Sequence, residues 1–238
     1  MKITHFNISA LFITAFALSA CIGESSYLNT VPQSPNYAAA HSVTYAKMTV
    51  STDTRTIVFL GDSLTAGFGL SRKDALPQQV AAQLQDSYPN LTIINSGRSG
   101  DTTSGGLARY EKSVAAHNPD ILILALGAND YIYGRDAKTA KANLTAIIDK
   151  AQSDGIQVAL AGLVPQSMAK LQSREGRFAA IYPDLAKQYN LPLHAELTRG
   201  VTGNRDLLLW DQLHPNARGV TVMASNMADF LKTAVLIK

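Results

Sequence analysis

Ser63, Gly100, Asn129, Asp211 and His214 lie far apart along the chain, yet by type they are the parts of an acyl-transfer site. A serine hydroxyl is a weak nucleophile near neutral pH until an adjacent base takes its proton, and His214 is a base of the right kind. The imidazole must also be held in one tautomer, which a carboxylate on its other ring nitrogen achieves. Two residues separate Asp211 from His214, so a single turn can set that carboxylate against the ring and leave the second nitrogen for Ser63. Pro215 then suits the first turn of a following helix. Negative charge developing on a substrate oxygen needs hydrogen-bond donors. The backbone N–H of Ser63, the backbone N–H of Gly100 and the side-chain amide of Asn129 are the candidates, the glycine because it permits close approach. Ser63 has a second reading, as a helix cap, because strand-to-helix turns are rich in serine for that reason.

For these residues to meet, the fold must gather the ends of several segments. Residues 57–70, "IVFLGDSLTAGFGL", begin with Val58, Phe59 and Leu60 on consecutive apolar positions, as in a strand covered on both faces, and Gly61 stops the run. "LTIINSG", "DILILALG", "QVALAGLV" and "LPLH" are further strand-like runs bounded by Gly, Asn, Asp or Pro. Helical stretches lie between them: "DALPQQVAAQLQDSY", "TSGGLARYEKSVAAH", "DAKTAKANLTAIIDKAQSD", "GRFAAIYPDLAKQY" and, at the end, "NARGVTVMASNMADFLKTAV". In the third, Ala140, Leu144, Ile147, Ile148 and Ala151 form one stripe. Alternating strands and helices predict a three-layer α/β/α sandwich with a mainly parallel sheet of about five strands. Ser63 follows the first strand, Gly100 the second and Asn129 the third, while Asp211 and His214 precede the last helix. In a doubly wound sheet such strand ends share one rim, where ligands bind.

The chain has 238 residues, 46% of them apolar, enough for one full core. Its formal charge of +3 is too small to imply a nucleic-acid partner. Residues 1–20 carry Lys2 and the apolar run "ISALFITAFALSA", which has the length of a signal-peptide core and is too short to span a bilayer. That run ends in "LSAC", which resembles a bacterial lipobox and implies that Cys21 carries lipid; the alternative is an ordinary secretory signal in which Cys21 is incidental. Cys21 is the only cysteine, so an internal disulfide is excluded. Residues 21–55 are rich in Ser, Thr, Asn, Pro and Ala, lack periodicity and read as a tether; residues 56–238 form the folded domain. Ile22 after the cysteine resembles outer-membrane sorting, so the expected location is the bacterial envelope, on the outer membrane.

Four blocks, "GDSLTAG", "SGDT", "GAND" and "DQLHP", occur in order at plausible spacing. Together they resemble the SGNH, or GDSL-type, hydrolases, from Thr56 to about Lys232. The resemblance implies a flavodoxin-like hydrolase fold, Ser63 as nucleophile, Gly100 and Asn129 as oxyanion donors, and Asp211 with His214 completing a triad. It further implies that Asp62 holds the first loop and that no cofactor is needed. "GRFAAIYPDLAKQYNLPL" with "GDTTSGGLARY" resembles the branch of periplasmic thioesterases, lysophospholipases and arylesterases. The substrates implied are acyl esters or thioesters, cleaved through an acyl-enzyme.

No spacing of the H-E-x-x-H kind suggests a metal. His194 follows an apolar strand and reads as structural, and Trp210 either lines an acyl pocket or packs. Tyr131, Ile132, Tyr133, Met168 and Leu171 lie on rim loops and offer an apolar lining. Three rival readings are an envelope carbohydrate O-acetylesterase, a flavodoxin-like binding module and a non-catalytic surface lipoprotein. The first loop lacks both G-x-G-x-x-G and the G-x-x-x-x-G-K-[ST] phosphate loop, and the complete set of triad and oxyanion positions argues against a silent protein.

Overall fold

Three of the apolar runs are buried along nearly their whole length, which makes them the centre of a sheet rather than its edges. The computed structural model describes residues 51–163 and 173–237. Its chain runs β1 (Thr56–Gly61), α1 (Ser63–Ala66), α2 (Leu76–Leu84), β2 (Thr92–Gly97), α3 (Thr103–Ala108), α4 (Tyr110–Ser113) and β3 (Ile121–Ala125). It continues through α5 (Ala128–Ile132), α6 (Ala137–Ser153), β4 (Gln157–Ala161), α7 (Arg174–Tyr189), β5 (Leu193–His194) and α8 (Ala217–Phe230). The five strands are all parallel, in the order β2-β1-β3-β4-β5, as the alternation of elements predicts. The partly exposed strands β2 and β5 close the two edges.

Side chains alternate across the sheet and so feed two cores. Ile57, Phe59, Ile121 and Ile123 pack with Leu76, Val80 and Leu84 of α2 and with Val220, Met223 and Met227 of α8. Val58, Leu60, Leu122 and Leu124 face the other way, onto Leu144, Ile147 and Ile148 of α6 and onto Phe178, Ile181 and Leu185 of α7. The chain passes from β1 outward to β2, then returns across β1 to β3 on its far side. This reversal opens a crevice at the carboxyl ends of β1 and β3, where Ser63 and Asn129 emerge.

Two details depart from the sequence pattern. The stretch 103–117 has the look of one amphipathic helix, but it is broken at Arg109 into α3, α4 and a 3-10 turn at Ala115–His117. Arg109 is drawn to acceptors outside the helix, as described below. Residues 51–55, at the end of the expected tether, lie against the domain: the Ser51 N–H donates to Ser87 O (2.8 Å), and Arg55 pairs with buried Asp53. The expected signal segment, Cys21, the expected tether up to residue 50, and Met168 and Leu171 lie outside the described residues.

Candidate active site

The turn after β1 separates the two uses of serine read from the sequence. Asp62, not Ser63, caps α1: its Oδ1 accepts the Leu64 N–H at 3.0 Å. Gly61 makes the turn possible, because a Cβ there would lie 2.0 Å from Thr65 Oγ1. Ser63, one residue into the helix, is thereby left facing the crevice, with Oγ 2.9 Å from His214 Nε2. His214 Nδ1 lies 2.6 Å from Asp211 Oδ2, and Asp211 Oδ1 accepts the N–H groups of Leu213 and His214, both at 3.0 Å. Closing so tight a loop puts Gln212 at φ +57, a conformation rarely taken by side chains of its kind. Partial burial pushes the Asp211 carboxyl up, but the N–H groups of His214 and Leu213 and the imidazole outweigh it and hold the pKa at about 2. Asp211 therefore remains an acceptor throughout the neutral range, which fixes the proton on Nδ1 and leaves the Nε2 lone pair toward Ser63. The Phe68 ring covers the imidazole, centroid to centroid 4.4 Å.

Gly100 and Asn129 line the same cleft as Ser63 and His214, while Asp211 stands behind the imidazole. Gly100 has φ +79, which a residue with a Cβ adopts only under strain. Asn129, in the first turn of α5, gives one amide hydrogen to Asp101 O (2.8 Å), which orients the other. The two loops are tied together beneath these donors. Asp130 accepts the Thr103 N–H at 2.8 Å and the Thr103 hydroxyl at 2.7 Å, both fully buried. Arg109 donates to Asp101 Oδ2 (2.6 Å), Ser96 O (2.9 Å) and Gly61 O (3.0 Å), so one guanidinium joins the ends of β1 and β2 to the Gly100 loop. Gly105 in α3 admits this arrangement, since a Cβ there would meet Asp101 Oδ1 at 2.0 Å.

The cleft encloses about 460 Å³, within the size range of small-molecule sites. Its walls are largely apolar, with Leu64, Phe68, Ile132, Tyr133, Leu208 and Leu213 among them. Ile132 and Tyr133 thus fall where the sequence reading put them. Tyr131 does not line the cleft; its hydroxyl donates to Glu175 at 2.7 Å. Trp210 neither lines the cleft nor packs, being 86% exposed. His194 is buried against Phe230, in keeping with a structural role, and burial lowers its pKa. Asp62 is buried beside Ser63 with Oδ2 lacking any partner among the described residues, and burial pushes its pKa up to about 6 against the pull of the Leu64 N–H and His214.

Sequence reasoning missed Asp101, Thr103, Asp130 and Arg109, although three of them fall inside or beside the blocks "SGDT" and "GAND". For the two aspartates the signal was their place directly after each expected oxyanion residue: Asp101 after Gly100 and Asp130 after Asn129.

Comparison with known proteins bears on the same segment. Residues 59–222 match the GDSL-like lipase/acylhydrolase family. An arylesterase of Vibrio mimicus is 31% identical over 176 residues, which is 74% of this chain and 87% of that protein. The thioesterase 1/protease 1/lysophospholipase L1 of Escherichia coli is 31% identical over 186 residues, 76% of this chain and 85% of the relative. The psychrotrophic esterase EstA from Pseudoalteromonas sp., in a structure inhibited by monoethylphosphonate, superposes with a TM-score of 0.69 at 27% identity, covering 75% of this chain and 97% of that one. The matched segment runs from β1 into α8 and carries every residue of the cleft's polar wall, so the chain belongs to the GDSL-like lipase/acylhydrolase family, as an esterase that hydrolyses acyl esters.

Proposed function

We propose that Ser63 is the nucleophile of this esterase, with His214 as general base and acid and Asp211 as the group that orients it. The observation that carries this reading is the unbroken hydrogen-bonded row Asp211–His214–Ser63, at 2.6 and 2.9 Å. In the first step Ser63 Oγ attacks the acyl carbon and its proton passes to His214 Nε2. The carbonyl oxygen takes the negative charge and is held by the N–H groups of Ser63 and Gly100 and by the Asn129 amide. Collapse breaks the bond to the alcohol or thiol, which leaves with the proton from His214. Water then attacks the acyl-enzyme and gives its proton to His214; collapse releases the acid and returns the proton to Ser63.

The apolar walls support an acyl chain as the group bound. The relatives named arylesterase and thioesterase/lysophospholipase support arylester, thioester and lysophospholipid substrates for this chain as well. From the sequence, residues 1–20 act as a lipoprotein signal, Cys21 as the lipid-bearing residue and the residues after it, up to residue 50, as a tether. They would hold the hydrolase domain, residues 56–238, to the outer membrane of a bacterial envelope. The test of the site is labelling by a fluorophosphonate ester followed by peptide mass mapping. Label on Ser63, and loss of nearly all esterase activity in a folded Ser63→Ala variant, are expected. Near-parental turnover by that variant would remove Ser63 from the mechanism.

A further inference from the structure

Folding leaves six large apolar side chains exposed among the described residues: Phe68, Ile132, Tyr133, Trp210, Leu213 and Ile237. Single exposed apolar residues are ordinary, but a group around one opening is not. Phe68, Ile132, Tyr133 and Leu213 line the cleft and also reach solvent, so the apolar wall that faces Ser63 continues outward onto the surface. Trp210, which does not line the cleft, stands three residues before Leu213 on the loop that carries Asp211 and His214 and is also open to solvent. That loop is pinned: the Leu209 N–H donates to His214 O at 2.7 Å and the Gln212 N–H to Leu209 O at 3.0 Å. An 86% exposed indole on a loop held this firmly is presented outward rather than left over.

We propose that this rim docks on the surface of a phospholipid bilayer, from which the acyl ester enters the cleft. The inference rests on the reading of the Ser63 cleft as the acyl-ester site. Whatever covers the rim also covers the cleft mouth, so a permanently bound protein would seal it, whereas a lipid surface delivers the substrate. Esters with a long acyl chain are amphiphiles that concentrate at such surfaces, and a continuous apolar path spares the chain a passage through water. Indole suits the position, with an apolar body and an N–H that remains at headgroup level. The segments that carry the rim hold charges of both signs in sequence, Arg98, Arg135 and Arg205 with Asp136 and Asp206. Attachment therefore depends on apolar insertion and not on headgroup charge.

Trp210 is the only tryptophan, so its emission reports on the rim alone. Vesicle binding through residues 1–20 or through lipid on Cys21 would leave it unmoved. The full chain with Ser63→Ala is mixed with dioleoylphosphatidylcholine vesicles. Emission should shift to shorter wavelength, be quenched by brominated phosphatidylcholine and persist at high salt. Trp210→Gln in the otherwise unaltered chain should leave hydrolysis of monomeric p-nitrophenyl butyrate unchanged and lower hydrolysis of vesicle-borne lysophosphatidylcholine by about tenfold or more, as expected for losing most of a buried indole. Unmoved emission with vesicles, or binding abolished by salt, overturns the proposal. A shift that follows protein concentration without lipid also overturns it and assigns the rim to a second copy of the chain. Failure of the cleft reading itself would appear separately, as Ser63→Ala retaining activity on the monomeric ester.

Discussion

Asp62→Asn should make the protein more stable at alkaline pH. The Asp62 carboxyl is 1% exposed, one oxygen accepts the Leu64 N–H, and the other has no partner among the described residues. Burial is the main reason its pKa stands at about 6 rather than the ordinary 3.8. The native state thus binds this proton more tightly than the unfolded chain does. Stability from this group is fully present below pH 3.8 and is lost as pH rises through about 6. The difference between 3.8 and about 6, at about 1.4 kcal/mol per pH unit, makes the ionised carboxylate cost the fold about 3 kcal/mol at neutral and alkaline pH. Asparagine keeps an oxygen for the Leu64 N–H and removes the charge, and a one-turn helix offers the carboxylate little dipole compensation in return. For a chain of this size, about 3 kcal/mol corresponds to roughly 6–12 °C in Tm. Thermal melts of parent and variant at about pH 4, 6 and 8 measure it: the gap should be small at the first value and open toward the last. A variant that melts at or below the parent at the highest pH, or a gap independent of pH, would refute the burial argument.

On the proposed mechanism Asn129→Ala removes one oxyanion donor and leaves Ser63, His214 and Asp211 in place, so kcat should fall by about 10²–10³ with KM changing much less. A change confined to KM would make Asn129 a substrate-binding residue instead. On substrate length, p-nitrophenyl esters of about six to ten acyl carbons should outperform the acetate, each two carbons raising kcat/KM by up to about tenfold until the cleft is full. A clear preference for acetate would point to a carbohydrate O-acetylesterase acting through the same residues. Cys21→Ser should abolish fatty-acid labelling of the protein and leave either an uncleaved precursor or a product without lipid; labelling that persists would show that "LSAC" does not direct lipidation.

Much of the fold was legible because burial writes a local pattern. A strand covered on both faces must be apolar at consecutive positions, as Val58, Phe59 and Leu60 are, and a helix lying on a sheet must carry a stripe, as Ala140, Leu144, Ile147, Ile148 and Ala151 do; all eight are buried. The types and order of Ser63, Gly100, Asn129, Asp211 and His214 were legible for a different reason, since few side chains can supply a nucleophile, its base, an orienting carboxylate and oxyanion donors. What holds these residues in place was not legible. The Arg109 contact to Gly61 O spans 48 positions and the Asp130 contact to Thr103 spans 27, and hydrogen bonds between loops leave no period in the sequence. The same limit applies to the break at Arg109 within a run of good helical pattern, to the cap of α1 falling on Asp62, and to Trp210, whose exposure depends on how its loop lies across the ends of the strands. Sequence alone determined which segments are buried and which chemistry the chain carries, because burial periodicity and reactive residue types are local properties. Only the tertiary structure decided which groups support Ser63 and which side chains ring the cleft, because those depend on contacts among segments that meet solely at the crevice between β1 and β3.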